Sequence, residues 1–478
     1  MNYTSHNKTN QRKLGLTMKN RKEKVDALII GFGKGGKTLA PFLADQGLKV
    51  MVVEKSSLMY GGTCINVACI PTKTLAHRAH LLSQQAGIGI EEKKANYAGA
   101  IKEKDELVAF LRTKNFDNVN GHPGATVLTG TASFLSPHEV HVKTQEGSWI
   151  VEADRIFINT GAKPVVPDIP GMTSSLVYTS AGLLDLAKLP ARLAIIGGGY
   201  IGLEFASIYA GFGSDVTLIE RGPLFMPKED RDIAQEVQKG LEKKGIRIRL
   251  GTRVNRIKES GSTATLYLTS SDGEVEELKA DAVLAATGRI ANTEGLNLEA
   301  AGVERDEQGF IRVDERLRTN VPNIWAVGDV NGGPQFTYIS LDDYRILKDQ
   351  LFGQSLRTTK DRKNVPTSVF IDPPLSHVGM TESEAISKGH KVKVAKLPAA
   401  ASPRARMLKQ TDGILKAIVD VETERLLGFT MFAADSSEVV NIVSMFMNSG
   451  QPYSVLRDTI FTHPSMAETL NDLLNAFR

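Results

Sequence analysis

A strand, a glycine-rich turn, a helix, a second strand and a glutamate occur twice in this chain, in the same order and at the same spacing. In the first copy, the apolar segment 25–30 runs into Gly31-Phe32-Gly33-Lys34-Gly35-Gly36, and segment 50–53 ends in Glu54. In the second copy, segment 193–196 runs into Gly197-Gly198-Gly199-Tyr200-Ile201-Gly202, and segment 216–219 ends in Glu220. The three turn glycines and the glutamate each lie 166 positions from their counterparts. One G-x-G-x-x-G turn is weak support for a nucleotide site, but two in this context predict two Rossmann-type dinucleotide-binding domains.

The residues of each copy have separate tasks in holding a dinucleotide. The first glycine permits a tight turn, the second lets the backbone approach the pyrophosphate, and the third lets helix and strand pack closely. The pyrophosphate then faces the N–H groups and the dipole at the helix start. Glu54 and Glu220 stand where a carboxylate accepts hydrogen bonds from a ribose diol. A 2′-phosphate would face Glu220, so the second copy favours NADH over NADPH, although the adjacent Arg221 offers a partner for that phosphate.

The only two cysteines of the 478 residues lie in the segment from Gly61 to Lys73, which reads Gly-Gly-Thr-Cys-Ile-Asn-Val-Ala-Cys-Ile-Pro-Thr-Lys. A regular helix would separate Cys64 and Cys69 by about 7.5 Å along its axis and point them to different faces. A disulfide therefore requires a break in the helix between them. Pro71 fits the start of a following helix, where Cys69 would lie near the positive end that favours a thiolate. Two structural thiols are the alternative, and a zinc site would need two further ligands that no second cluster supplies.

Composition fits an ordinary soluble cytoplasmic protein, and the length predicts two to four domains. No stretch approaches the roughly 20 apolar residues of a membrane span, and the N-terminus has no apolar secretion signal. The net charge of +4 includes three basic residues among the first 17, a polar segment that we expect to be disordered and to precede an alternative start at Met18. No basic stripe interleaved with aromatic residues indicates a nucleic-acid partner.

Further motifs extend this pattern over the rest of the chain. Two apolar strands end in Thr160-Gly161 and Thr287-Gly288-Arg289, a third ends in Gly328-Asp329, and His463-Pro464 precedes Glu468 by a short spacer. From about residue 25 to its end, the chain resembles the flavoprotein disulfide reductases with two dinucleotide-binding domains, the family of glutathione reductase, dihydrolipoamide dehydrogenase and mercuric reductase. The segments Phe336–Arg345 and Phe461–Met466 are most similar to the mercuric-reductase-like branch of RclA-type, reactive-chlorine-response flavoproteins, which is associated with oxidant and copper stress.

The resemblance implies an α/β fold with two Rossmann-type domains and a C-terminal α+β dimerisation domain. It implies a disordered extension at 1–24, an FAD-binding domain at 25–165 and 289–357, an NAD(P)H-binding domain at 166–288 and a dimerisation domain at 358–478. The implied FAD-binding residues are Gly31, Gly33, Gly36, Glu54, Lys55, Gly62, Thr63, Lys73, Ala132, Thr160, Gly161, Arg289, Gly328 and Asp329. The implied NAD(P)H-binding residues are Gly197, Gly199, Tyr200, Ile201, Gly202, Glu220 and Gly288.

The resemblance also implies a route for electrons. Hydride passes from NADH, with NADPH possible, to FAD, and electrons from FAD then open a Cys64–Cys69 disulfide. Cys69 would contact the flavin and Cys64 would exchange with the substrate, while Lys73 would lie near the flavin and pair with Glu204. His463, oriented by Glu468, would act as a base toward the disulfide of the other subunit, which implies a homodimer.

The acceptor is the least determined part of this interpretation. Mercuric reductases carry additional thiols near the C-terminus, which this chain lacks, and glutathione reductases have arginines where Glu220 stands. The branch resemblance favours Cu(II) or another oxidised small molecule, with Cys64 and Cys69 as transient copper ligands. Reduction of lipoamide or another small disulfide is the first alternative, and an FAD-binding redox sensor without fast turnover is an alternative of a different class.

Overall fold

The computed structural model describes residues 20–85 and 87–477. The expected disordered segment and the alternative start at Met18 lie outside the described residues. The strands, in chain order, are β1 (Asn20–Ile30), β2 (Val50–Glu54), β3 (Ala125–Thr129), β4 (Thr131–Phe134), β5 (Glu139–Lys143), β6 (Ser148–Ile158), β7 (Ala162–Pro164), β8 (Val177–Tyr178), β9 (Arg192–Ile196), β10 (Asp215–Ile219), β11 (Arg247–Arg249), β12 (Thr252–Ser260), β13 (Thr263–Ser270), β14 (Val275–Ala280), β15 (Ala282–Ala285), β16 (Arg289–Ala291), β17 (Ile324–Ala326), β18 (Thr367–Val369), β19 (Leu375–Gly379), β20 (Val392–Pro398), β21 (Ile414–Asp420) and β22 (Leu426–Phe432).

The α-helices are α1 (Lys34–Asp45), α2 (Thr63–Asn66), α3 (Cys69–Ser83), α4 (Ile90–Asn120), α5 (Ser180–Leu184), α6 (Tyr200–Phe212), α7 (Arg231–Lys243), α8 (Thr337–Phe352), α9 (Glu382–Ser387), α10 (Pro403–Met407), α11 (Ser436–Ser449), α12 (Tyr453–Arg457) and α13 (Thr469–Asn475). Short 3-10 helices occupy Ser57–Met59, Leu298–Ala301, Gly328–Asn331, Thr359–Asp361 and Ala399–Ala401. No helix among the described residues combines the length and the apolar character needed to cross a membrane.

The first of two compact units comprises the described parts of 1–66, 110–163 and 290–359. Its sheet has the strand order β3-β2-β1-β6-β5-β4, and β17 also pairs with β6. The pairs of β1 with β2 and β6, of β2 with β3 and of β6 with β17 are parallel, whereas β4, β5 and β6 pair antiparallel. Residues Ala27 to Ile30 of the central strand are at most 3% exposed, as expected for a strand covered on both faces.

The second unit comprises the described parts of 67–109, 164–289 and 360–478. A parallel sheet of order β11-β10-β9-β15-β8 lies in its middle segment, beside an antiparallel sheet of β12, β13 and β14. Residues after 360 form a five-stranded antiparallel sheet of order β18-β19-β22-β21-β20. Buried side chains of β21, β22, α11 and α13 form the core of this last segment.

The predicted α/β fold class is confirmed, but helix boundaries differ from the sequence expectation. The sequence predicts helices at 70–85 and 99–114; in the structure α3 ends at Ser83, and α4 is nearly twice as long as the second predicted segment. A helix expected at about 466–477 is present as Thr469–Asn475. The five-part domain division remains a prediction.

Candidate functional site

The first glycine-rich turn joins β1 to α1 in the first unit. Gly31 has a φ of +105°, and a Cβ added to it would lie 2.3 Å from the backbone oxygen of Asn159. No side chain fits at this position, so the turn requires glycine. Gly33 then caps α1 with a φ of −70° and a ψ of 175°. The positive end of the helix dipole at this turn is suited to bind a pyrophosphate.

The second turn joins β9 to α6 in the second unit and repeats this geometry. Gly197 has a φ of +109°, and a Cβ there would lie 2.4 Å from the backbone oxygen of Ala286. Gly199 caps α6 with a φ of −73° and a ψ of 176°. No atom lies within 4 Å of a Cβ built on Gly199, whereas one on Gly202 would lie 2.1 Å from the Gly197 oxygen. The second glycine therefore faces open space and the third is required for helix–strand packing, as the motif predicts.

The two glutamates hold the same hydrogen bonds in the two copies. Glu54 accepts from the backbone N–H of Phe32 at 3.0 Å and of Ser56 at 3.2 Å. Glu220 accepts from the corresponding Gly198 at 2.8 Å and from Gly222 at 2.7 Å. Burial raises the pKa of Glu54, while its backbone hydrogen bonds oppose that rise. Each carboxylate is thus fixed beside its turn before a ribose approaches.

The first unit also has a buried polar atom that suits a ligand. The hydroxyl oxygen of Thr160 is buried and has no hydrogen-bond partner among the described residues, and the next residue, Gly161, has a φ of +71°. Buried hydroxyls normally find a partner, so this one fits an additional polar group such as a bound dinucleotide. The predicted FAD-binding residues in this unit are Gly31, Gly33, Gly36, Glu54, Lys55, Gly62, Thr63, Ala132, Thr160, Gly161, Gly328 and Asp329.

The helix breaks between the two cysteines, as their spacing predicts. Cys64 belongs to α2, which ends at Asn66, and Cys69 is the first residue of α3. Ala68 between them has a φ of −144° and a ψ of −103°, far from helical values. Both cysteines are half-buried. At the first position of a 15-residue helix, Cys69 lies where the helix dipole favours a thiolate.

Lys37 on α1 is a residue that sequence reasoning missed. Its ammonium donates to the backbone oxygen of Gly61 at 3.1 Å. Burial, followed by the charge of Lys34, lowers the pKa of Lys37 to about 8, and an electrostatic interaction with Cys64 opposes this decrease. A cation therefore stands beside the first cysteine, and no motif would have identified it, because the turn pattern leaves this position unspecified.

The predicted pair of Lys73 and Glu204 lies within the second unit. The Lys73 ammonium is 2.6 Å from Glu204, whose other oxygen accepts from the backbone N–H of Phe370 at 3.0 Å. The ammonium also lies 4.7 Å from the centre of the Phe370 ring. With side chains 32% and 13% exposed, this pair is shielded from solvent more than an ordinary surface salt bridge.

His463 and Glu468 form a hydrogen-bonded pair near the C-terminus. Nδ1 of His463 is 2.9 Å from Glu468, whose second carboxylate oxygen accepts from the Ser465 N–H at 3.0 Å. The bond to His463 lowers the pKa of Glu468. An Nδ1–H donating to a carboxylate leaves Nε2 as the basic nitrogen, on a side chain that is 70% exposed. The sequence predicts that Glu468 lies on a helix, which is wrong: it immediately precedes α13, and its N–H donates to Ser465 Oγ at 3.2 Å.

The predicted NAD(P)H-binding residues all fall in the second unit, as do Lys73 and Arg289 of the FAD set. Tyr200 and Ile201 begin α6, and Gly288 has a φ of +120°. The Tyr200 side chain remains partly accessible, and burial together with Glu229 raises its pKa to about 12. Within the part of the chain that the structure describes, no three His, Cys, Asp or Glu side chains are arranged to hold a metal ion.

Two family descriptions cover most of the chain. Residues 25–343 match "Pyridine nucleotide-disulphide oxidoreductase", and residues 365–474 match "Pyridine nucleotide-disulphide oxidoreductase, dimerisation domain".

Individual relatives match over nearly the full length. The chain is 51% identical to the probable pyridine nucleotide-disulfide oxidoreductase RclA of Escherichia coli K12, covering 95% of this chain and 99% of the relative. It is 34% identical to a mercuric reductase of Lysinibacillus sphaericus, covering 94% and 82%, and 33% identical to a mitochondrial dihydrolipoyl dehydrogenase of Pisum sativum, covering 94% and 90%. A solved structure of HOCl-induced flavoprotein disulfide reductase RclA from Escherichia coli as a Cu(II) complex matches with a TM-score of 0.90 at 50% identity, covering 95% and 100%.

Proposed function

This chain belongs to the pyridine nucleotide-disulphide oxidoreductase family, whose members use FAD and NAD(P)H, and on that premise we propose that it reduces Cu(II) or another oxidised species during oxidant stress. Electrons would enter from NADH and leave through Cys64 and Cys69. The observation that carries the proposal is the helix break that places Cys69 at the start of α3 and Cys64 in the short helix before it. The similarity to an HOCl-induced reductase solved with Cu(II) supports this acceptor class.

Each residue near the cysteines has a task in this proposal. Bound FAD supplies the two-electron chemistry that connects a nicotinamide with a disulfide. The start of α3 stabilises Cys69 as a thiolate, and Lys37 adds positive charge beside Cys64. Lys73, four residues after Cys69 on α3, is held by Glu204 and would lie near the flavin. His463, oriented by Glu468, would accept the proton of the thiol that attacks or is released during exchange.

Copper is a chemically reasonable acceptor for a thiol pair. Cu(I) prefers sulfur ligands, so thiolates favour the reduced ion over Cu(II). When two thiolates form a disulfide, they release two electrons, and these reduce two Cu(II) ions to two Cu(I) ions. The chain has only two cysteines, so the route of mercuric reductases through additional C-terminal thiols is not available.

A second candidate is reduction of a small disulfide such as lipoamide. The hydrogen-bonded His463–Glu468 pair favours it, because thiol–disulfide exchange requires a base that a metal-ion acceptor does not. The 33% identity to a dihydrolipoyl dehydrogenase agrees with this alternative.

We propose a homodimer as the working form and the cytoplasm as its location. Residues 365–474 match the family's dimerisation domain, and the exposed His463 side chain lies in that segment. The cytoplasm supplies NADH and keeps cysteine pairs reducible.

The test measures NADH-dependent turnover with Cu(II), lipoamide and oxidised glutathione. For the unmodified protein we expect Cu(II) to give the highest kcat/KM. Cys64→Ser should abolish Cu(II) reduction while flavin reduction by NADH persists, and Cys69→Ser should also remove the long-wavelength absorbance of the two-electron-reduced protein. His463→Ala should slow lipoamide turnover, if there is any, by about 10²–10⁴-fold with little effect on Cu(II).

Two outcomes would contradict the proposal. A Cys64→Ser/Cys69→Ser double variant that reduces Cu(II) at the unmodified rate would exclude the thiol pair from the reaction. Flavin reduction by NADH without turnover of any acceptor would support the redox-sensor alternative instead.

A further inference from the structure

Three buried polar side chains converge on two backbone turns of the first unit. Asn159 follows β6, and Ser340 and Asp343 lie on α8; they are 5%, 7% and 0% exposed. The two turns are the Gly31–Gly36 turn before α1 and the Val327–Asp329 turn after β17. Both contain residues that the sequence assigns to FAD, but none of the three side chains belongs to those motifs.

The carboxamide of Asn159 forms hydrogen bonds with both turns. Its Oδ1 accepts from the Gly36 N–H at 2.9 Å, and its Nδ2 donates to the Val327 carbonyl at 2.7 Å. The partners fix which end of the amide is oxygen, because one is a donor and the other an acceptor. A one-residue bridge of this kind sets the separation of the two turns.

Ser340 and Asp343 of α8 form hydrogen bonds with the same two turns. Ser340 Oγ accepts from the Gly35 N–H at 3.0 Å, and Asp343 accepts from the Gly328 N–H at 2.6 Å. Residues three apart on a helix share a face, so α8 presents both acceptors together. A helix therefore carries one contact to each turn.

The space around Gly328 leaves little freedom for movement. A Cβ on Gly328 would lie 2.9 Å from Ser340 Oγ and 3.1 Å from Asn159 Nδ2, and its φ is +74°. The Asp343 side chain is fully buried, and a buried polar group is unfavourable unless hydrogen bonds compensate it. Apolar side chains in these places would leave the N–H groups of Gly35, Gly36 and Gly328 without these acceptors.

We propose that Asn159, Ser340 and Asp343 are positioning residues that hold the two turns at the separation FAD requires and so set the affinity for FAD. The proposal rests on the FAD binding assigned above. A preorganised site binds more tightly because less order must be imposed at binding. Loss of one buried bond should weaken FAD binding by about 10- to 100-fold.

The experiment titrates apoprotein with FAD and follows quenching of flavin fluorescence, with the visible spectrum and the Tm of the apoprotein as further readouts. Asp343→Ala and Asn159→Leu should bind FAD about 10- to 100-fold more weakly, with a shifted flavin spectrum. Asp343→Asn, which keeps an acceptor oxygen for Gly328, should recover much of the affinity. The matched control is Asp342→Asn, because Asp342 is also buried on α8 but bonds the Arg357 side chain.

The remaining outcomes separate the possible failures. If the unmodified apoprotein does not bind FAD, the proposed function itself fails. If it binds FAD and the variants bind equally well, or lose only Tm, the three residues are structural and this inference is wrong. Ser340→Ala, which removes a single hydroxyl, provides the same comparison if Asp343→Ala does not fold.

Discussion

Lys37 places a positive charge at a half-buried position, where an uncharged side chain would make the folded protein more stable. Because its pKa is lowered to about 8, the unfolded chain retains a proton that the folded chain releases between about pH 8 and pH 10.4. Below pH 8 the charge of Lys37 therefore lowers the free energy of unfolding by its full amount. This loss of stability disappears as the pH rises through that window. Lys37→Met should raise the Tm at pH 7, while the exposed Lys49→Met should leave it nearly unchanged.

The same substitution should make the first cysteine less reactive. A cation beside a thiolate favours the charged form, so Lys37→Met should raise the pKa of Cys64. In a Cys69→Ser background, Cys64 is the only thiol, and the pH dependence of iodoacetamide alkylation reports its pKa directly. An unchanged alkylation profile would show that Lys37 has no influence on Cys64.

Nucleotide preference is also decided by single residues. Glu220 is fixed by two backbone N–H groups and cannot move aside without losing both bonds. A 2′-phosphate would meet this carboxylate, so NADH should have the higher kcat/KM. Glu220→Ala should reduce the difference in kcat/KM between NADH and NADPH, because it weakens NADH binding and removes the repulsion of the 2′-phosphate of NADPH. Equal use of both nucleotides by the unmodified protein would contradict the assignment.

Motif residues could be identified from the sequence because their spacing is set by backbone geometry. A side chain at Gly31, Gly197 or Gly202 would clash with backbone atoms, and Glu54 and Glu220 follow the turns at one common spacing. Lys37 and Asn159 could not be found this way. Their partners are backbone atoms and side chains distant in sequence, and a single sequence contains no signal for such contacts.

At the scale of elements, Lys416 on β21 ties neighbouring segments of the second unit together. Its side chain is 1% exposed and lies 2.9 Å from Asp230, 3.1 Å from Asp232 and 2.7 Å from Glu382. Lys416→Met would leave Asp230 buried without its cation and should reduce the free energy of unfolding by about 3–5 kcal/mol.

Chemical denaturation checks this expectation against a matched lysine. Lys396 also pairs with Asp232, at 2.6 Å, but is 46% exposed, so Lys396→Met should cost less than about 1 kcal/mol. Similar losses for the two variants would mean that burial of Lys416 does not matter.

The length of α4 shows why one helix was predicted too short. Its buried positions include Tyr97, Ala100, Ile101 and Val108, which follow a helical period. The position between them is Lys104, which is 3% exposed and donates to the Leu184 carbonyl at 2.8 Å. Lys104 lies inside the predicted segment and also pairs with Asp105 at 2.6 Å. The missed ends of α4, 90–98 and 115–120, bury only Tyr97 and Val119, so no apolar stripe marks them in the sequence.

At the scale of the whole molecule, the dimerisation segment has a large apolar side chain in solvent. Ile460 is 96% exposed in the single chain and lies within residues 365–474. Because it lies three residues before His463, we expect the partner subunit to bury it in the proposed dimer. Ile460→Asp should shift sedimentation from dimer to monomer and slow turnover of lipoamide, which requires the partner's base, while FAD remains bound. A dimer of unchanged stability would place the interface elsewhere.

The order of segments along the chain determines when the first unit can be completed during synthesis. Its sheet needs β17, whose Ile324 pairs with Ile156 of β6, and the polypeptide between them belongs largely to the second unit. At about 5–20 residues per second, a ribosome needs roughly 10–30 s to make that interval. During this interval, the apolar edge of β6 that pairs with β17 in the folded protein lacks that strand. Nascent chains of this protein should therefore depend on chaperones until the segment after residue 324 emerges from the ribosome.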